Sequence, residues 1–210
     1  MINKTAYYAS IRELARKKRA EYSIQTNAFG IREIRAIYRR EHITIDIRTL
    51  PSCLKAIYLA QEGDVCVAIR KDLPGEPKLF ALAHELKHHW ADQELIQAGL
   101  FRCGDYNANE LEEKGAEVFA AEFIYPEEEF FEDVGACNSP EWKPQDIVRF
   151  KKFHCRGKVS YTFIRKRLEL RGLVQRDQFA GVKFQKLEEE MYGVPFYRQS
   201  WFRQRRPSSS

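Results

Sequence analysis

His84, His88 and His89, three of the chain's five histidines, fall in the single stretch HELKHHW at residues 84–90. No other segment constrains the fold as sharply. On an α-helix, residues i and i+4 are separated by about 400°, so they share a face with Cβ atoms roughly 5–6 Å apart. His84 and His88 therefore point the same way. Two imidazoles at that spacing can close on one zinc ion, whose bonds to nitrogen are about 2.0–2.1 Å. Glu85 lies about 100° further round the helix, where it can take a proton from metal-bound water without being a ligand. Leu79, Leu82, Ala83 and Leu86 supply an apolar face that fixes the helix. The plain alternative is a hydrated helix face enriched in histidine, and His89 beside His88 fits that alternative too.

A catalytic zinc takes three protein ligands and keeps one open position. His42 and His154 lie in segments with no matching pattern. The better source is ELEEKGAEVFAAEFIYP (110–126), a carboxylate-rich helix with an apolar stripe of Ala116, Phe119, Ala120 and Phe123. The stripe suits packing on the HExxH helix. Glu113 and Glu117 are i and i+4, so they sit together beside it. One can bind metal while the other orients an imidazole.

The remaining pattern is mixed α and β. Residues 4–22 read as a basic helix, and IREIRAIYRREH after Gly30 as a second, with Ile31, Ile34 and Tyr38 on one side and arginines on the other. ITIDI (43–47), LKAIYLA (54–60) and DVCVAIR (64–70) read as strands, the last two joined by a QEGD turn in which Gly63 can take positive φ. LPGEP (73–77) is a turn, with Pro77 suited to the first turn of the motif helix. A long helix is expected over 107–124, ending at Tyr125–Pro126, with a short one over 127–134. NSPEWKP (138–144) is the candidate boundary, followed by helices over 144–154 and 160–172. Beyond 173 no clear periodicity emerges, and SWFRQRRPSSS reads as a mobile end.

Net charge is +5, from 35 Lys+Arg against 30 Asp+Glu, too small an excess to imply nucleic acid by itself. The charge is unevenly spread, with basic blocks at 12–19 and 198–206 and an acidic stretch from Glu110 to Glu132. Cys53, Cys66, Cys103, Cys137 and Cys155 include no C-x-x-C pair, which argues against a zinc ribbon or a thioredoxin-like site. With no signal peptide and no run of about 20 apolar residues, reduced thiols in the cytoplasm and no membrane partner are expected.

HELKHHW and EKGAEVFAAEFIYP together resemble the ImmA/IrrE-type zinc metallopeptidases. That motif is an H-E-x-x-H helix, usually HELGH, followed by a helix of the form E-x-x-A-N-x-F-A-A-x-x-L-x-P. Glu113, Ala116, Phe119, Ala120, Ala121 and Pro126 fall in register with it. The resemblance covers roughly residues 25–135. It implies an α+β, zincin-like core over 1–137, with a small mixed sheet, the HExxH helix and a glutamate-bearing helix. It implies one zinc ion per chain held by His84, His88 and Glu113, with Glu85 as general base of an endopeptidase. Lys87 stands where glycine is usual and Glu117 where asparagine is usual; neither change removes a ligand, but Glu117 is a second carboxylate that could bind instead. A group to stabilise the oxyanion is also expected, and His89, Tyr106 and Tyr125 are the candidates. The implied substrate is a helix-turn-helix transcriptional repressor of the kind carried by bacteria, phages and mobile elements.

FKKFHCRGKVSYTFIRKRLELRGLV, within a helical segment assigned to 138–175, resembles the small helix-turn-helix-like part that often follows this core. Its Arg165, Lys166 and Arg167 could meet phosphates, although a helical pair packed as a partner surface is the favoured reading over DNA contact. Residues 176–210 form a C-terminal extension. The competing function is a non-catalytic, zinc-containing regulatory module that binds a repressor or DNA, including a toxin–antitoxin component.

Overall fold

A computed structural model of the chain describes residues 3–61, 63–98, 109–137, 139, 141–195 and 198. They divide into two compact units, one built from 1–133 with 156–160 and the other from 134–155 with 161–210.

In the first unit, helix α1 (Lys4–Glu21) starts at Asn3, whose Oδ1 accepts from the amides of Thr5 and Ala6 at 3.1 and 3.2 Å. That cap satisfies two of the four amides that a helix start leaves without partners. Helix α2 (Ile31–Arg40) buries Ile34, Ile37 and Tyr38 and leaves its arginines outward, as its pattern requires. Strands β1 (Thr44–Arg48), β2 (Ala56–Gln61) and β3 (Asp64–Arg70) form one sheet in the order β1-β3-β2. β3 is central, parallel to β1 and antiparallel to β2, and its Val67, Ala68 and Ile69 are buried. Gly63, in the β2–β3 turn, has φ +92°, a conformation that glycine adopts without the steric cost of a Cβ.

Helix α3 (Gly75–Lys87) leads into a π-helical turn, His88–Asp92, and a short helix α4 (Gln93–Gln97). α3 packs against α2, β2, β3 and helix α5 (Glu110–Ile124). Being surrounded, it is buried on every side: all residues from Ala81 to His88 are inaccessible or nearly so. α5 lies between α3 and α1. Arg19 of α1 is buried and donates to the carbonyl of Phe123 at 2.7 Å and to Thr26 Oγ1 at 2.9 Å. Burial pulls the Arg19 guanidinium below its ordinary value, so those acceptors are what holds the charge there. Helix α6 (Glu127–Cys137) follows Pro126. Arg156 returns to it, donating to Asp133 Oδ1 at 2.7 Å and Glu132 Oε2 at 2.9 Å.

The expected helix over 107–124 begins at Glu110 among the described residues; positions 107 and 108 lie outside them. The helix placed at 127–134 runs to Cys137.

The second unit holds helices α7 (Pro144–Phe153), α8 (Tyr161–Leu170) and α9 (Phe184–Tyr192), with α7 packed against both others. α9 was not foreseen. Its charged run LEEEM hides the contacts that fix it: Phe184 stacks on Tyr161 with centroids 5.1 Å apart, Glu188 accepts from the Tyr161 hydroxyl at 2.6 Å, and Tyr192 meets Phe153 edge-on at 5.7 Å. Of the three cations suggested for phosphate contact, Arg167 lies over the Phe163 ring at 4.9 Å and Arg165 lies 3.5 Å from Glu169. Lys166 is the exposed one. Residues 199–210, including Arg203, Arg205 and Arg206 of the second basic block and the whole of SWFRQRRPSSS, lie outside the described residues. Among the described residues no helix is long and apolar enough to cross a membrane.

Candidate metal centre

The donor set comes from two helices that the apolar stripe of α5 brings together. Ala116, Phe119, Ala120 and Phe123 are fully buried, and Phe119 and Phe123 stack at 5.2 Å. Trp90, in the π-helical turn, meets both rings edge-on at 5.8 Å. This packing sets Glu113, in the first turn of α5, beside α3. A carboxylate in a first helical turn is also favoured by the helix dipole.

His84 Nε2 lies 3.2 Å from His88 Nε2 and 3.1 Å from Glu113 Oε2. One donor atom from each of the three residues falls within 4.8 Å of the other two. Tetrahedral zinc with bonds near 2.0–2.1 Å separates its ligands by about 3.3–3.4 Å. The two shorter spacings are close to that edge, and two imidazole nitrogens with a carboxylate oxygen are donors that zinc accepts. The residues present therefore fit the metal. His84, His88 and Glu113 are 8%, 0% and 1% exposed, which excludes a hydrated helix face.

His88 is oriented from behind. Its Nδ1 lies 2.6 Å from Asp92 Oδ2, so the ring donates there and keeps the Nε2 lone pair facing His84. His88 and Asp92 are i and i+4 and so share a face, while the i→i+5 pattern of the π-helical turn also brings residue 92 back over residue 87. Asp92 was missed in the sequence, as was the use of Lys87, which is fully buried and donates to the same Asp92 oxygen at 2.6 Å. An aspartate four residues beyond the second histidine was the available signal.

Burial alone would lower the His84 pKa. The hydrogen bond with Glu113 and the negative charges of Glu85, Glu113 and Glu117 outweigh it, and the net shift is upward. Glu85 is 3% exposed and adjoins the donors on α3. Glu117 is exposed and outside the donor group, as are His42 and His154. Among the oxyanion candidates, His89 has Nδ1 at 3.0 Å from the Tyr58 hydroxyl and Nε2 at 3.1 Å from Glu41 Oε2. Burial pulls its pKa down, against the opposing pull of Glu41. Tyr125 is buried and donates its hydroxyl to Asp133. Tyr106 lies outside the described residues.

A mixed α+β unit with a small three-stranded sheet and a buried His-His-Glu donor group defines a metal-site protein. The chain belongs to the IrrE N-terminal-like domain family, peptidase family M78, whose family model matches residues 40–169. Membership supports peptidase activity and metal dependence, and it bears out the ImmA/IrrE-type resemblance. A search among curated proteins gives no match.

Proposed function

We propose that the chain is a zinc-dependent endopeptidase that cuts a helix-turn-helix transcriptional repressor in the cytoplasm. The first unit would then be a zincin-like core. His84, His88 and Glu113 would hold the zinc, and Glu85 would be the general base. The observation that carries the reading is the convergence of two Nε2 atoms and one carboxylate oxygen, from two helices, within 4.8 Å in a buried site.

Bound zinc supplies Lewis acidity, which lowers the pKa of a water and polarises a carbonyl. The rest falls to the chain. Glu85 takes a proton from the attacking water and returns it to the departing amine nitrogen. Asp92 keeps the His88 ring in the tautomer that leaves Nε2 unprotonated. The α3 and α5 packing holds the donors in place before substrate arrives, so little reorganisation is needed.

The test is direct. Zinc-loaded protein is incubated with a purified helix-turn-helix repressor, and the products are read by intact mass. A single cut that a chelator abolishes and added zinc restores is the expected result. An uncut repressor that nevertheless binds the zinc-loaded chain would favour the regulatory binding module instead.

A further inference from the structure

We propose that Lys87 is a positioning residue of the metal site: its buried ammonium fixes the Asp92 carboxylate that orients His88, and ties the motif helix to the glutamate-bearing helix. The proposal rests on the metal-site reading above and adds a residue to it.

Lys87 stands where the motif that this chain resembles usually has glycine. A lysine normally keeps its head in water by extending along the surface. This one is 0% exposed. An ammonium removed from water must find acceptors for its protons. Nζ has Asp92 Oδ2 at 2.6 Å, the carbonyl of Glu112 at 3.2 Å, and the Tyr7 ring at 5.8 Å from its centroid. The last distance lies within the roughly 6 Å reach of a cation–π contact. Tyr7 is held against α5 at Gly115, where an added Cβ would fall 2.5 Å from the Tyr7 hydroxyl oxygen.

Two of these contacts act on the donor set. Asp92 Oδ2 receives both Lys87 Nζ and His88 Nδ1, each at 2.6 Å, so the oxygen is fixed from two directions. Without the ammonium the carboxylate is held on that atom by the imidazole alone, and the ring it orients gains freedom. The bond to the Glu112 carbonyl acts on the other side. Glu112 precedes the ligand Glu113, so Lys87 fixes the first turn of α5 relative to α3. The arrangement depends on the π-helical turn. On an α-helix residues 87 and 92 would be about 140° apart around the axis, and no Lys87–Asp92 pair could form across that angle.

The experiment is a double-mutant cycle on cobalt and zinc affinity in the full chain. It compares wild type, Lys87→Met, Asp92→Asn and the double variant, using competition with a chromophoric chelator and the visible spectrum of bound cobalt. Asp92→Asn and Lys87→Met are each expected to weaken binding about 10–100-fold, the usual cost of losing a partner of a metal-ligating histidine, and to shift the cobalt spectrum. Because Lys87 acts chiefly through Asp92, with the Glu112 bond as the smaller share, adding Lys87→Met to Asp92→Asn should weaken affinity by less than about tenfold. Should Lys87→Met fail to fold, Asp92→Asn and the uncharged double variant still carry the comparison. The proposal is overturned if Lys87→Met or Asp92→Asn binds cobalt like the wild type with an unchanged spectrum. It is also overturned if the double variant is weakened about tenfold or more beyond Asp92→Asn, which would make Lys87 a packing residue. Failure of the wild-type chain to bind either metal overturns the metal-site reading itself and is told apart by that single measurement.

Discussion

Replacing Glu85 by glutamine tests the general-base role at nearly constant volume. The side chain is 3% exposed, so solvent cannot easily take its place. The neighbouring carboxylates are committed: Asp92 is held by Lys87 and His88, and Glu113 faces His84. Glu117 is exposed and outside the donor group. With no substitute base, the loss should span the usual range for general acid–base catalysis, about 10²–10⁴-fold in rate. At 1.36 kcal/mol per tenfold, that is about 2.7–5.4 kcal/mol of transition-state stabilisation. Glu85 is not one of the three donors, so zinc should remain at one ion per chain. Two assays on one preparation decide the matter: metal content by mass spectrometry, and single-turnover cleavage of a substrate that the wild type cuts. A variant that keeps its zinc and cleaves within about tenfold of wild type would refute the role. So would a variant that loses zinc, since Glu85 would then be acting as a ligand.

Equilibrium dialysis should separate the two glutamates of α5. Glu113→Gln should lose more than the roughly 100-fold that marks the upper cost of a supporting residue, while Glu117→Gln should stay within a few-fold of wild type. The His84 pKa is raised on folding, so in metal-free protein its contribution to stability is fully present below about pH 6.5 and is lost as pH rises through the raised value. Metal needs the neutral ring, so zinc affinity measured by titration calorimetry should fall as pH drops through that same range. Gly157→Ala would put a Cβ 2.5 Å from Tyr125 Cδ1 and 2.9 Å from Cγ, atoms too near the backbone to swing aside in a fully buried ring. Overpacking of about 1–3 kcal/mol, offset by about 0.4–1 kcal/mol from a stiffer unfolded chain, should lower the denaturant midpoint without changing its slope. Zinc at 100 times its Kd stabilises by about 2.7 kcal/mol, so chelation should lower Tm by roughly 5–11 °C for a chain of this size.

Much of this site was legible because its parts obey short-range rules. The i, i+4 histidines and the α5 stripe are local periodicities, and the strands are short β-branched runs set off by turn residues. What was not legible depended on departures from those rules. Asp92 meets Lys87 because the helix widens to a π-turn; regular 3.6-residue periodicity puts residue 92 on the same face as His88 but on another face from residue 87. Lys87 read as a departure from glycine, since nothing local says that a lysine will be buried. Glu117 shared the register argument with Glu113; only tertiary packing left one at 1% exposure and the other in solvent. The helix Phe184–Tyr192 was hidden because its aromatic contacts sit at its two ends, Phe184 on Tyr161 and Tyr192 on Phe153, with a charged run between them.

Charge balance ties these features together. Glu85, Lys87, Asp92 and Glu113 are at most 5% exposed. Three carboxylates against one ammonium leave two negative charges when the imidazoles are neutral. Burying uncompensated charge costs several kcal/mol per ion, so the site must recover about two positive charges. A proton on His84 is one route, and the surrounding carboxylates, against the effect of burial, push its pKa that way. A divalent cation is the other, and it needs the very lone pair that this proton would occupy. Lys87 sets the deficit at two rather than three. A glycine at that position, with Asp92 retained, would leave a charge that one divalent ion could not cancel. On this argument the lysine and the aspartate are a matched pair, and either one alone would mistune the site for its metal.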